Sequence, residues 1–184
     1  MLRKIATAGV LFTLILIVVA CAGPTSSPPA SNPAPTQTPS PTPTPEPTAK
    51  PKPSGPIKAT WIEPQVDGDI VSISLTEVEN DWNTHFKLEI QSDEMNFMAY
   101  VLDGEIHVRA NVCPPCRSIG FSLEDDILVC DRCATTFEAK AGDGIQGACV
   151  DFPKASVPYE ITDGNIVMKG ADLIDAYQDT IKPG

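Results

Sequence analysis

Residues 111–133 read NVCPPCRSIGFSLEDDILVCDRC. Two Cys-x-x-Cys pairs, Cys113/Cys116 and Cys130/Cys133, stand 13 residues apart. A two-residue gap lets both sulfurs of one turn aim at a common centre. Two such turns brought together by a hairpin complete a tetrahedron of thiolates. The residues between the pairs supply that hairpin. Gly120-Phe121 leads away from the first turn, Glu124-Asp125-Asp126 reads as a solvated acidic tip, and Ile127–Val129 is the strand that delivers the second pair. Arg117 and Arg132 sit beside and within the two turns. There they would offset part of the charge of about −2 that four thiolates leave around a divalent ion.

Three other uses of these cysteines compete. Disulfides or thiol exchange are one, because CPPC resembles a thioredoxin-type pair. That chemistry needs a helix after the first cysteine, which Pro114, Pro115 and Ser118-Ile119-Gly120 do not suggest. Covalent c-type haem needs Cys-x-x-Cys-His, and Arg117 and Ala134 occupy the histidine positions. A single structural zinc stapling a small core is the third.

Working outward, Val71, Ile73 and Leu75 alternate with serines, Phe86, Leu88 and Ile90 alternate with Lys87 and Glu89, and Ile106, Val108, Ala110 and Val112 form another alternating run. Each predicts a half-buried strand. Phe97–Leu102 is apolar on both faces and predicts an inner strand. Val157–Ile161 and Asn165–Met168 predict short ones. Asp103-Gly104 and Asp163-Gly164 are hairpin turns. Leu173, Ile174, Tyr177 and Ile181 share a face of one helix over residues 171–181. The expected class is mainly β: a small antiparallel sandwich or barrel with two metal loops and one C-terminal helix. His85, expected at a strand edge, and His107, on a polar strand face, read as surface or hydrogen-bonded histidines rather than ligands.

Residues 57–184 carry nine of the 13 Lys/Arg and 23 of the 24 Asp/Glu. So acidic a segment, with no basic stripe, argues against nucleic acid and anionic lipid as partners. No phosphate loop, Ser/His/Asp constellation or paired-carboxylate signature can be placed. The expectation is a non-catalytic electron-transfer or metal-binding module.

Ahead of this domain lie two segments of other kinds. Residues 1–21, MLRKIATAGVLFTLILIVVAC, have a positive start and an apolar run too short for a stable span. Their ending resembles a bacterial lipobox, in which Cys21 becomes the lipidated first residue of the mature chain. Residues 22–56 hold 13 of the 19 prolines and read as an extended Pro/Thr/Ser-rich linker. The expected location is extracytoplasmic, anchored to the cell membrane. A general export channel passes unfolded chains, so a metal acquired outside would be zinc, mononuclear iron or Cu(I), all suited to thiolates.

From Ala110 to Met168 the chain resembles the FtrD-like membrane iron–sulfur family. The likeness rests on the two Cys-x-x-Cys pairs, the acidic hairpin between them, Gly147-Ala148-Cys149, and Pro158-Tyr159-Glu160-Ile161 followed by Asp163-Gly164. More distantly it looks like the Rieske fold, with Cys116 and Cys133 standing where histidines would be expected. The resemblance implies that Cys113, Cys116, Cys130 and Cys133 bind an iron–sulfur cluster or mononuclear iron, with zinc as the alternative. It places Cys149 near the metal, as a further ligand, a redox-active thiol or a buried apolar residue. It also implies electron transfer beside redox or iron-transport membrane proteins, with a zinc-stapled interaction domain and a thiol–disulfide protein as alternatives. Four thiolates would give a two-iron cluster a lower potential than a Rieske centre.

Overall fold

The computed structural model describes residues 51–90 and 93–184. The expected signal 1–21 with Cys21, and residues 22–50 of the linker, lie outside the described residues. Residues 51–56 are exposed and irregular. Ile57 is buried and pairs with Leu123.

Twelve strands and two helices follow: β1 Thr60–Trp61, β2 Gln65–Asp67, β3 Ile70–Ser74, α1 Leu75–Asp81, β4 Asn83–Ile90, β5 Asp93–Leu102, β6 Glu105–Ala110, β7 Phe121–Glu124, β8 Ile127–Cys130, β9 Thr136–Glu138, β10 Gly144–Gln146, β11 Glu160–Thr162, β12 Asn165–Lys169 and α2 Gly170–Thr180. They form three four-stranded sheets, ordered β1-β4-β5-β6, β10-β9-β8-β7 and β11-β12-β3-β2. All pairings between these strands are antiparallel except β1 with β4. The class is the mainly β, antiparallel one expected.

The β1-β4-β5-β6 sheet is central because β5 is covered on both faces. Phe97, Ala99 and Val101 join one core with Phe86 and Val108, with Val71, Ile73, Ile166 and Met168 of the β11-β12-β3-β2 sheet, and with Val78, Leu173 and Ala176 of the helices. Their neighbours Met98, Tyr100 and Leu102 join a second core with Phe121, Leu123, Leu128 and Phe137. Two covered faces explain why this run lacks alternation. Burying each large side chain contributes about 1.5–3 kcal/mol.

Both aspartate–glycine turns form where expected, with φ 52° and 81° at Asp103 and Gly104, and 51° and 75° at Asp163 and Gly164. Two expectations need correction. The strand through Val71 and Ile73 ends at Ser74, and Leu75 opens a second helix, α1. Ser74 caps it, its hydroxyl accepting from the Glu77 N–H at 3.3 Å, and left-handed Trp82 (φ 64°) ends it. The expected strand 157–161 is two pieces. Only Glu160–Thr162 pairs with β12, while the chain just before it is stitched to β6 by Ala110 N–H to Ala155 O and Val157 N–H to Val108 O.

His85 is neither at the surface nor satisfied. It lies inside the central sheet, 0 % exposed, and neither ring nitrogen has a hydrogen-bond partner among the described residues. The Trp61 ring meets it edge-on at 5.4 Å. Burial pulls its pKa down to about 3, opposed weakly by the Ile119 backbone. Below its ordinary value of 6.5 the unfolded chain therefore takes up a proton that the folded chain refuses. Stability thus drops as the pH is lowered from 6.5 toward 3, by up to about 1.4 kcal/mol per unit from this group. Urea titrations from neutral pH down to about pH 4 should show His85→Leu losing less stability than the wild type. Equal losses would mean that the imidazole is solvated or paired.

Candidate metal centre

The two cysteine turns share one backbone design. In the first, the Cys113 N–H donates to Ser118 O and the Arg117 N–H to Cys113 O, at 2.8 and 2.7 Å. In the second, the Cys130 N–H donates to Thr135 O and the Ala134 N–H to Cys130 O, both at 2.9 Å. The residue after each second cysteine is left-handed, with φ 58° at Arg117 and 55° at Ala134. The Asp131 N–H joins the turns by donating to Gly120 O at 3.0 Å.

The four sulfurs of Cys113, Cys116, Cys130 and Cys133 all lie within 4.8 Å of one another. Cys116 and Cys130 approach to 3.7 Å. The fifth cysteine, Cys149, comes to 3.7 Å from Cys133 but falls outside that mutual group of four. All five are free thiols. Cys113, Cys130 and Cys149 are buried, while Cys116 and Cys133 are half-buried. The first cysteine of each pair thus faces the protein and the second faces outward.

Cys149 arrives on a third loop that closes over the second. A Cβ at Gly147 (φ 122°) would stand 2.5 Å from Thr135 Oγ1, so only glycine fits there. Thr135 Oγ1 accepts from the Cys149 N–H at 3.3 Å and lies 3.2 Å from Cys133 Sγ.

Three thiols of this group differ in acidity. Burial, with hydrogen bonds among the neighbouring thiols, pushes Cys113 up, and burial also raises Cys130. Burial opposes ionisation of Cys133 too. There the Thr135 side chain and backbone and the Cys130 and Cys116 thiols outweigh it, bringing the thiol down to about 6.

The loops are pinned by polar side chains on the second face of the central sheet, which sequence reasoning missed. Asn83 Nδ2 donates to Ile57 O and Phe121 O at 3.0 Å each, and Asn111 Nδ2 to Ile119 O at 2.8 Å. Arg109 donates to Tyr100 Oη at 2.9 Å, to Lys154 O at 2.7 Å, and to Lys140 O. Tyr100 Oη donates to Ala139 O. Burial, opposed by the Arg109 charge, raises its pKa to about 12. Lys154 is wholly buried, its ammonium donating to Val112 O at 2.8 Å and Phe152 O at 2.7 Å. Burial draws its pKa down to about 8, while Cys113, Cys130, Cys149 and Cys116 pull it up. Arg117 and Arg132, expected beside the site, lie exposed at its rim. His107 is half-buried and stacked on Tyr100 at 5.5 Å, away from the sulfurs' group.

A family model described as "Membrane iron-sulfur containing protein FtrD-like" matches residues 78–179, more than half of the chain. The chain belongs to the FtrD-like family. No curated protein matches it. Among solved structures, this FtrD-like chain is similar to a chain of the complex of reduced oxygenase and oxidized ferredoxin in carbazole 1,9a-dioxygenase. The identity is 15 %, the TM-score 0.40, and the match covers 47 % of this chain and 81 % of that one. It is also similar to a Sphingomonas yanoikuyae B1 ferredoxin, at 21 % identity and TM-score 0.38, covering 45 % and 83 %. Family and donor set together call for a metal or iron–sulfur cofactor, and the sulfur set fits one. The family is described as a membrane family, and no helix among the described residues is long and apolar enough to cross a membrane.

If the polar face holds the FtrD-like loops in place, Arg109→Lys will be costly, because an ammonium cannot span three partners as the guanidinium fork does. The expected loss is about 2–4 kcal/mol in chemical denaturation. A loss under about 0.5 kcal/mol, the level of an ordinary surface substitution, would show that the loops are held by other means.

Proposed function

We propose that this chain is an exported, membrane-anchored electron carrier. Its centre is a single iron ion held by Cys113, Cys116, Cys130 and Cys133. The observation that supports this reading is the mutual 4.8 Å limit among four sulfurs from two separate turns. A metal–sulfur bond of about 2.3 Å, the zinc–thiolate value, puts the corners of a tetrahedron about 3.8 Å apart. The 3.7 Å between Cys116 and Cys130 suits one such edge. A two-iron cluster needs its two cysteine pairs spread further, so the spacing favours one ion.

When bound, iron supplies a one-electron couple. The protein supplies the rest. The matched turns fix the sulfurs, the buried flank of Cys113 and Cys130 excludes water, and half-buried Cys116 and Cys133 give electrons a short way out. The lipidated Cys21 and the proline-rich linker would hold the domain at the membrane surface within reach of its partners. The family resemblance suggests redox or iron-transport proteins of the membrane in that role. Loading outside the cell suits a mononuclear ion, since no assembled cluster has to survive passage of an unfolded chain.

Zinc is the second reading, because the same spacing fits it equally and thiolates bind it well. It would make the domain a stapled interaction module.

Anaerobic loading of the reduced full chain separates these readings. One iron per chain taken up without added sulfide, with thiolate-to-iron absorption bands and a reversible one-electron response, is the expected result. A requirement for inorganic sulfide and two irons per chain would replace the single ion by a cluster. Zinc retained on purification, with no redox response after iron loading, would favour the staple. Cys113→Ser and Cys130→Ser should each abolish stable iron binding, while Cys149→Ser should retain it. Loss on Cys149 replacement would bring the fifth sulfur into the ligand set.

A further inference from the structure

Lys154 has no exposed surface, yet it carries an ammonium into the second core. The Nζ lies 4.3 Å from the centroid of Phe137 and 5.3 Å from that of Phe121. Both rings belong to the core that contains Cys113, Cys130 and Cys149. One of its two hydrogen bonds goes to Val112 O, directly before the first ligand cysteine. No carboxylate pairs with it, for the one ion pair among the described residues is Lys87–Glu94. Two carbonyls and two ring faces lessen the cost of a buried ammonium but do not neutralise it. Cys113, Cys130 and Cys149 share its core, and with Cys116 they are the acidic groups that act on its charge. In a chain so rich in acids, the one fully buried lysine among the described residues shares a core with cysteines rather than pairing with a carboxylate.

We propose that Lys154 is the built-in counter-charge of the thiolate centre, a positioning residue that binds no metal itself but offsets the negative charge of the loaded site. This rests on reading the four-cysteine group as a metal centre. Four thiolates around a divalent ion carry about −2, and the interior screens that charge poorly. A buried cation beside it favours the more negative state. Lys154 therefore strengthens metal binding and raises the reduction potential of a bound iron. The converse also holds. With the metal absent the site no longer holds four thiolates, and the ammonium, short of its counter-charge, is a burden on the fold.

That reversal of sign is the test. Lys154→Met removes charge and donors while keeping the apolar stem, and Lys154→Gln keeps a donor but drops the charge. In the full chain, reduced and chelator-treated, the Met variant should be at least as stable in urea as the wild type. After zinc loading it should be less stable, with zinc affinity about 10–100-fold weaker by chelator competition. Loaded with iron, it should have a more negative midpoint potential. The Gln variant should follow the Met variant in affinity and potential. Equal destabilisation of the metal-free and loaded Met variants, with affinity and potential unchanged, would reduce Lys154 to a loop fastener and overturn the proposal. Gln behaving as wild type in affinity and potential would overturn it as well, by showing that the donor matters and the charge does not. A wild-type chain that takes up neither zinc nor iron would instead sink the underlying metal reading.

Discussion

Arg109 carries the constraint on which the cysteine region depends. Irregular loops expose backbone carbonyls, and such groups cannot be buried without donors. Arg109 reaches the Lys154 and Lys140 carbonyls and the Tyr100 hydroxyl together, and Tyr100 passes the tie on to Ala139. Asn83 and Asn111 do the same for Ile57, Phe121 and Ile119. The loops therefore rest on a polar lattice projecting from a central sheet. A planar guanidinium with fixed donor directions suits this task better than a flexible ammonium.

The charge layout has an inside and an outside. Residues 57–184 are strongly acidic, yet the ends of the two cysteine turns carry exposed Arg117 and Arg132. Lys154 is buried against Phe121 and Phe137, in the core that holds Cys113, Cys130 and Cys149, where salt screens it little. Burial is graded in the same direction, since Cys113 and Cys130 face the core and Cys116 and Cys133 face outward. This asymmetry, a dry floor under a thin outer wall, would suit the proposed electron carrier.

Much of the fold was legible in the sequence. The aspartate–glycine turns and the two-faced apolar run at 97–102 form as read, and the two cysteine pairs meet as their spacing suggested. The helix after Ser74 was written as Ser-x-x-Glu, a capping pattern, but the alternation of Val71, Ile73 and Leu75 ran straight over it. The buried polar face was harder to see. Asn96 and Arg109 sit between apolar neighbours, and Asn83 and His85 flank Thr84, as residues of a solvent-facing strand would. Periodicity tells which residues share a side, not whether water or a second layer meets it. Lys154, alone between Pro153 and Ala155 in an irregular stretch, has no period at all and reads as surface.

The core that joins the β11-β12-β3-β2 sheet and both helices to the central sheet contains no sulfur ligand. Half of the domain can therefore consolidate before any inorganic component arrives. The other half shares β5 with it and so inherits a ready-made floor. If the chain is exported unfolded, as proposed, this is a workable order of assembly. The scaffold would set first, the loops would settle on it, and the proposed ion would be collected last.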